Sequence, residues 1–219
     1  LSASIAHEFN NPLQGIQSVL KGLRKRAILE EEDRELLEEA IKESDRIKDL
    51  IRSLQEFNRP TSGMLKLVDL HKVLDSMLLL QKSDFKRKRI AVALQYAERL
   101  PQVQAVADQI KQVLLNLLAN AADACQERGG EITVRTWQKD EDTVAVAIKD
   151  TGVGIKPDDL DRIFHPFYTT KPEIKGTGLG LSVCYGIIKK HSGAICVDSQ
   201  PGQGSTFTIL LPIRNNRAV

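Results

Sequence analysis

The sequence predicts a chain of two unlike parts, a helical hairpin followed by a mixed α/β domain (class α + α/β). Three observations carry this. Apolar residues recur at gaps of three and four through Ile5, Phe9, Leu13, Ile16, Leu20 and Leu23, and again through Leu37, Ala40, Ser44, Ile47, Ile51 and Leu54, which is a helical period. Arg59-Pro60-Thr61-Ser62-Gly63 breaks that pattern and reads as a linker. From Leu65 onward, runs of strand-like alternation are separated by helical segments, which suggests one mixed sheet with helices on one face.

In chain order, a first helix covers residues 1 to about 26, and the charged stretch from Arg24 to Glu32 holds its end and a connector. A second helix runs from about Asp33 to Asn58, its stripe widened by Leu36, Ile41, Leu50 and Phe57. Each helix is roughly 35–40 Å long at 1.5 Å per residue. Two helices alone cannot bury stripes this wide, whereas two copies packed as a dimeric four-helix bundle can. A homodimer is therefore expected; the alternative is a hairpin that packs on its own chain's second domain. The expected domains are 1–60 and 61–219. In the second, Asp69 caps a helix to about Lys82, Ile90–Tyr96 alternates like a strand, and Asp108 begins an apolar helix to about Gln126. Strands at Glu131–Gln138 and Thr143–Asp150 flank the turn 139–142. A helix at Leu179–His191 and closing strands at Ala194–Ser199 and Ser205–Leu211 complete the domain.

Composition narrows the functional classes. A net charge of +2 gives no electrostatic argument for nucleic acid or an anionic membrane, and aromatics at 5% leave little for base stacking. The three cysteines, Cys125, Cys184 and Cys196, have no paired spacing and read as reduced core residues of a cytoplasmic protein. No apolar run approaches the ~20 residues of a membrane span, and no signal peptide is visible. Leu1 opens inside a helical pattern without a methionine, which reads as a fragment.

Three segments place polar residues or glycines where packing does not ask for them. Asn116, Asn120 and Asp123 are spaced four and three apart, so they share one face of an otherwise Leu/Ala-rich helix. Such a face offers oxygen ligands to Mg2+, or is simply a polar helix edge. Asp150-Thr-Gly152-Val-Gly154-Ile155 follows a strand; its carboxylate can accept from an adenine amino group, or the segment is only a tight turn. Lys175-Gly176-Thr177-Gly178-Leu179-Gly180-Leu181 leads into a helix, where exposed amides form a natural phosphate site. It matches neither the Walker nor the dinucleotide spacing. Between the last two, Phe164 to Lys171 (including Tyr168) reads as a lid over phosphates, with Lys171 and Lys175 as its cations.

Near the start stands Ala6-His7-Glu8-Phe9-Asn10-Asn11-Pro12. His7 lies about 200° around the helix from Ile5, off the apolar stripe, with Asn11 one turn later on its own face. Pro12 removes the hydrogen bond to the carbonyl of Glu8, so a bend is expected beside His7 that could act as a hinge. His71 and His191, near helix ends, read as charges on helix dipoles.

Taken together and in this order, these segments resemble the phospho-acceptor, asparagine, first glycine, phenylalanine and second glycine boxes of sensor histidine kinases. The resemblance spans essentially the whole chain. It implies a dimerisation and phosphotransfer hairpin followed by a Bergerat-type α/β sandwich that binds ATP and Mg2+, a fold shared with gyrase, a heat-shock chaperone and mismatch-repair ATPases. It further implies that Asn120 coordinates Mg2+ with Asn116 assisting, and that Asp150 reads adenine with Thr206 supporting through water. Gly152 and Gly154 would admit the base, and Gly178, Leu179 and Gly180 would offer amides to phosphates. His7 would be the phospho-acceptor, Glu8 would take or orient its ring proton, and Asn11 would orient a water that dephosphorylates a response-regulator partner.

Two departures matter. ATP-hydrolysing relatives carry a glutamate base where this chain has Asn116, and an amide cannot activate water as a base. Many kinases carry a basic residue where this chain has Asp123, so more phosphate contact is expected from the lid, at Lys171. The rival readings are a clamp-gating ATPase of the same fold and a nucleotide-free interaction module.

Overall fold

The computed structural model describes residues 2–58, 63–125, 129–169 and 178–213, apart from the side chains of 2–11, 46 and 49–58. Contacts divide the chain into two units, Leu1–Pro60 with His165–Gly180, and Thr61–Phe164 with Leu181–Val219.

In the first unit, α1 (Ser2–Arg26) and α2 (Glu31–Asn58) form the hairpin. Helix α1 runs through Pro12 without interruption and ends on Arg24, Lys25 and Arg26, while α2 opens on Glu31, Glu32 and Asp33. Each set of charges opposes the dipole end it sits on. The α2 start lies earlier than the apolar pattern suggested, because its first turn is acidic rather than apolar. Within the hairpin, Leu13 of α1 and Leu37, Ile41 and Ser44 of α2 are buried. Gln17 Nε2 donates to Asp45 Oδ1 at 2.8 Å, and Arg24 approaches Glu38 at 3.7 Å. Part of the expected stripe stays exposed, at Ile16, Leu23, Leu36 and Ile47, and Val19, outside that stripe, is exposed too.

The second unit is built on a sheet of order β2-β4-β5-β7-β6, comprising β2 (Ile90–Gln95), β4 (Gly130–Gln138), β5 (Thr143–Asp150), β6 (Ala194–Gln200) and β7 (Gly204–Pro212). The β2–β4 pair is parallel and the others antiparallel. A parallel neighbour needs a crossover, supplied here by α4 (Ala107–Ala124). Alternation along β4 and β7 buries Ile132, Val134 and Thr136, then Ser205, Phe207, Ile209 and Leu211. On the sheet lie α3 (Leu70–Arg87) and α4, and α6 (Gly180–Lys190) meets α4 where the Cys184 thiol donates to the Val113 carbonyl. Leu74, Leu118, Ile132, Val144 and Ile188 form a fully buried centre. A small antiparallel pair, β1 (Lys66–Val68) with β3 (Val103–Ala105), and the short helix α5 (Pro157–Leu160) complete the unit. Both lie below the length at which alternation is legible.

Asp69 caps α3 as expected, its carboxylate accepting from the amides of His71 and Lys72. The helix continues past Lys82 because Phe85 is a core residue, buried to 4% exposure. It ends at Lys88 and Arg89, the latter at φ 55°.

Three sequence expectations are corrected here. Cys125 and Cys184 are buried, but Cys196 is exposed on the outer side of the edge strand β6. His71 stacks on Tyr96 and pairs with Thr136 Oγ1 at 2.8 Å rather than standing as a bare charge. His191 is buried: its Nδ1 donates to the Ile187 carbonyl at 2.9 Å and its Nε2 accepts the Val106 amide at 3.0 Å. One nitrogen donates and the other accepts, so the ring is a neutral tautomer. It fastens the end of α6 to the residue that precedes α4. His191→Ala leaves the Val106 amide unpaired and is expected to cost about 1–3 kcal/mol. A urea midpoint unchanged from the parent chain would refute this role.

Among the described residues, no helix is long and apolar enough to cross a membrane.

Candidate functional site

Strand β5 carries the site's most unusual side chain on its last residue. Asp150 is 2% exposed. Its Oδ1 accepts the Gly152 amide at 2.8 Å and the Ser205 amide at 3.3 Å. Among the described residues, both bonds end on Oδ1 and none on Oδ2. Burial pushes the carboxyl above its ordinary range, and the two amide bonds only partly offset this.

The turn after Asp150 is held against the end of α4. Val153 donates to the Ala124 carbonyl at 3.2 Å, and Thr151 Oγ1 accepts the Glu131 amide at 2.9 Å. Gly154 sits at φ 69°, where an added Cβ would fall 2.0 Å from the Gln200 carbonyl, so only glycine fits. The Ile155 amide donates to Ser199 Oγ, which also reaches Ser205 Oγ at 2.9 Å.

On α4, Asn116, Asn120 and Asp123 are all half-buried on one flank, as their spacing requires. The Cys184 thiol of α6 donates to the Val113 carbonyl of α4 at 3.8 Å, and burial pushes that thiol up to about 12. Asp123 Oδ1 receives Lys88 Nζ at 2.7 Å from the end of α3.

The role expected of Thr206 is corrected. Thr206 pairs with Lys149, so strand alternation puts its side chain on the sheet face away from Asp150. Ser205 is the residue that meets Asp150. The sequence held a signal for this, because Ser205 shares parity with Phe207, Ile209 and Leu211. Lys88 had no such signal: it lies 35 positions from Asp123 and joins it only through packing.

The structure thus brings Asn116, Asn120, Asp123, Asp150, Gly152, Gly154, Ile155 and Leu181 into one unit. Tyr168, Gly178, Leu179 and Gly180 belong to the other. There, Gly178 takes φ 67° against the Phe167 backbone, Leu179 is buried, and Gly180 opens α6. Lys171, Lys175, Gly176 and Thr177 lie outside the described residues, as do the side chains of His7, Glu8 and Asn11, whose backbone is in α1.

A buried carboxylate, a glycine turn and an asparagine-bearing helix share one α/β sandwich, an arrangement suited to a nucleotide. Comparison with known proteins agrees. Residues 105–215 match the model of the histidine kinase-, DNA gyrase B- and HSP90-like ATPases, and residues 1–63 match that of the His kinase A phospho-acceptor domain. The chain belongs to the sensor histidine kinase family, with its phospho-acceptor hairpin and ATPase-type domain in tandem. It is 39% identical over 217 residues to the sensor histidine kinase ZraS of Escherichia coli (strain K12), covering 99% of this chain and 46% of that protein. The chain therefore spans about half the length of the curated relatives it matches. Among solved structures, ShkA in complex with AMPPNP is similar with a TM-score of 0.73 at 27% identity, covering 96% of this chain and 45% of that one. The catalytic domain of histidine kinase ThkA is similar with a TM-score of 0.61 at 30% identity, covering 68% of this chain and 98% of that one.

Proposed function

We infer that this chain is the catalytic core of an ATP-dependent protein-histidine kinase in two-component signalling. Residues 1–60 are its dimerisation and phosphotransfer domain, and residues 61–219 its ATP-binding domain. The observation that carries this reading is Asp150, buried and with no partner on Oδ2 among the described residues, beside an α4 that bears Asn116 in place of a carboxylate base. That arrangement suits recognition of adenine and disfavours activation of water.

The residues fit ATP and Mg2+. Asp150 Oδ2 accepts from the adenine amino group, with Ser205 holding the carboxylate from behind. The amide oxygens of Asn120 and Asn116 are hard ligands suited to Mg2+, which when bound offsets phosphate charge. Gly178, Leu179 and Gly180 present amides at the start of α6, where phosphates are favoured. Neutral His7 attacks the γ-phosphorus, the bond to the β-phosphate oxygen breaks, ADP leaves, and the ring proton passes to Glu8. Catalysis is then mainly positioning and charge neutralisation. The phosphoryl group moves on to an aspartate of a response-regulator receiver domain, and Asn11 orients water for the reverse removal from that partner.

The exposed apolar residues Ile16, Val19, Leu23, Leu36 and Ile47 support a homodimer. A single hairpin leaves these side chains in water, and a second copy covers them in a four-helix bundle.

The deciding experiment incubates the chain with Mg2+ and γ-labelled ATP. A label that acid removes and alkali spares supports a histidine kinase. ATP binding without label would support the interaction module, and release of free phosphate without a labelled protein would support the clamp ATPase. For the lid, Lys171→Ala is expected to weaken ATP binding and slow labelling about tenfold, the worth of one charge-assisted hydrogen bond. Equal affinity and rate would remove Lys171 from the site.

A further inference from the structure

Lys88 is a charge that the nucleotide reading does not use. It stands just past the end of α3, with its side chain only 12% exposed. Its Nζ lies 2.8 Å from Asp84 Oδ2 and 2.7 Å from Asp123 Oδ1. Burial works against the ammonium, yet its bonds to Asp123 and Asp84 hold it above the usual lysine range. Asp84 is held below the usual carboxylate range, first by its hydrogen bond from Lys88, and Arg87 also pairs with it. The charges of Arg87, Lys88, Asp84 and Asp123 therefore sum to zero.

Asp123 shares its flank of α4 with Asn116 and Asn120. On a face that takes a triphosphate, an unneutralised carboxylate would oppose the ligand. We propose that Lys88 is a positioning residue for nucleotide binding: it neutralises Asp123 and holds it aside, so that the asparagine face of α4 accepts an anionic ligand. This rests on the reading of that face as the ATP site. Two other roles are separable from it. A purely structural staple between α3 and α4 would act on stability and not on ligand charge. A direct phosphate ligand would not be rescued by removing Asp123's charge.

The test measures binding of Mg2+·AMPPNP and, separately, of uncharged adenosine. Lys88→Met is expected to weaken AMPPNP about tenfold, the scale of one unscreened charge several ångströms away at intermediate dielectric, and to leave adenosine within about twofold. High salt should narrow the difference. Lys88→Arg should retain affinity for both ligands. The double variant Lys88→Met/Asp123→Asn should recover AMPPNP binding, even though the α3–α4 ion pair stays broken. Equal loss of AMPPNP and adenosine, or no recovery in the double variant, overturns the proposal, as does unchanged AMPPNP affinity in Lys88→Met. Should Lys88→Met fail to fold, the double variant is measured directly against the parent chain. Parental AMPPNP affinity there supports the proposal, and a tenfold loss overturns it. A parent chain that binds neither ligand removes the ATP-site reading itself, a failure distinct from any in the Lys88 series.

Discussion

Asp150→Asn is expected to stabilise the ligand-free protein while lowering ATP affinity about a hundredfold or more. The two effects have one origin. Asn Oδ1 can still accept the Gly152 and Ser205 amides that now end on Asp150 Oδ1. The second position changes from an acceptor oxygen to an NH2 donor, which meets the adenine amino group donor to donor. The stability gain comes from removing a buried charge. Burial raises Asp150 in the folded state above its ordinary value of 3.8, so the native protein binds this proton more tightly than the unfolded chain. Asp150 therefore favours folding most below that ordinary value, and its contribution falls as pH rises through the raised native pKa. Urea melts across this window should show a decline in the parent chain that is reduced in Asp150→Asn. A variant with unchanged ATP affinity would show that Asp150 does not read the base.

The second large effect is expected at His7. His7→Gln should reduce labelling from γ-labelled ATP to background while AMPPNP binding stays intact, because the proposed acceptor and the proposed nucleotide site come from different segments. Asn11→Ala should keep autophosphorylation and slow dephosphorylation of the phosphorylated regulator by tenfold or more. Label retained in His7→Gln would move the acceptor elsewhere. Full phosphatase activity in Asn11→Ala would remove the water-orienting role.

Local pattern misplaced particular residues for physical reasons. Thr206 and Ser205 are adjacent and chemically alike, and only the β5–β7 register decides which one faces Asp150. The extension of α3 beyond Lys82 depended on Phe85 finding the core, which propensity does not encode. His191 looked like a helix-end charge, but its partner at Val106 lies 85 positions away.

The sequence by itself determined the helical hairpin, the mixed sheet and the order of the site segments, because these rest on local period, turn chemistry and residue type. It also placed the asparagines on one flank of α4, a consequence of helical spacing alone. Tertiary structure decided which oxygen of Asp150 is spent on Gly152 and Ser205, which closing-strand residue supports it, and that Lys88 sits on Asp123. Those are contacts between distant segments, and their partners are chosen by strand register and helix packing rather than by any local pattern.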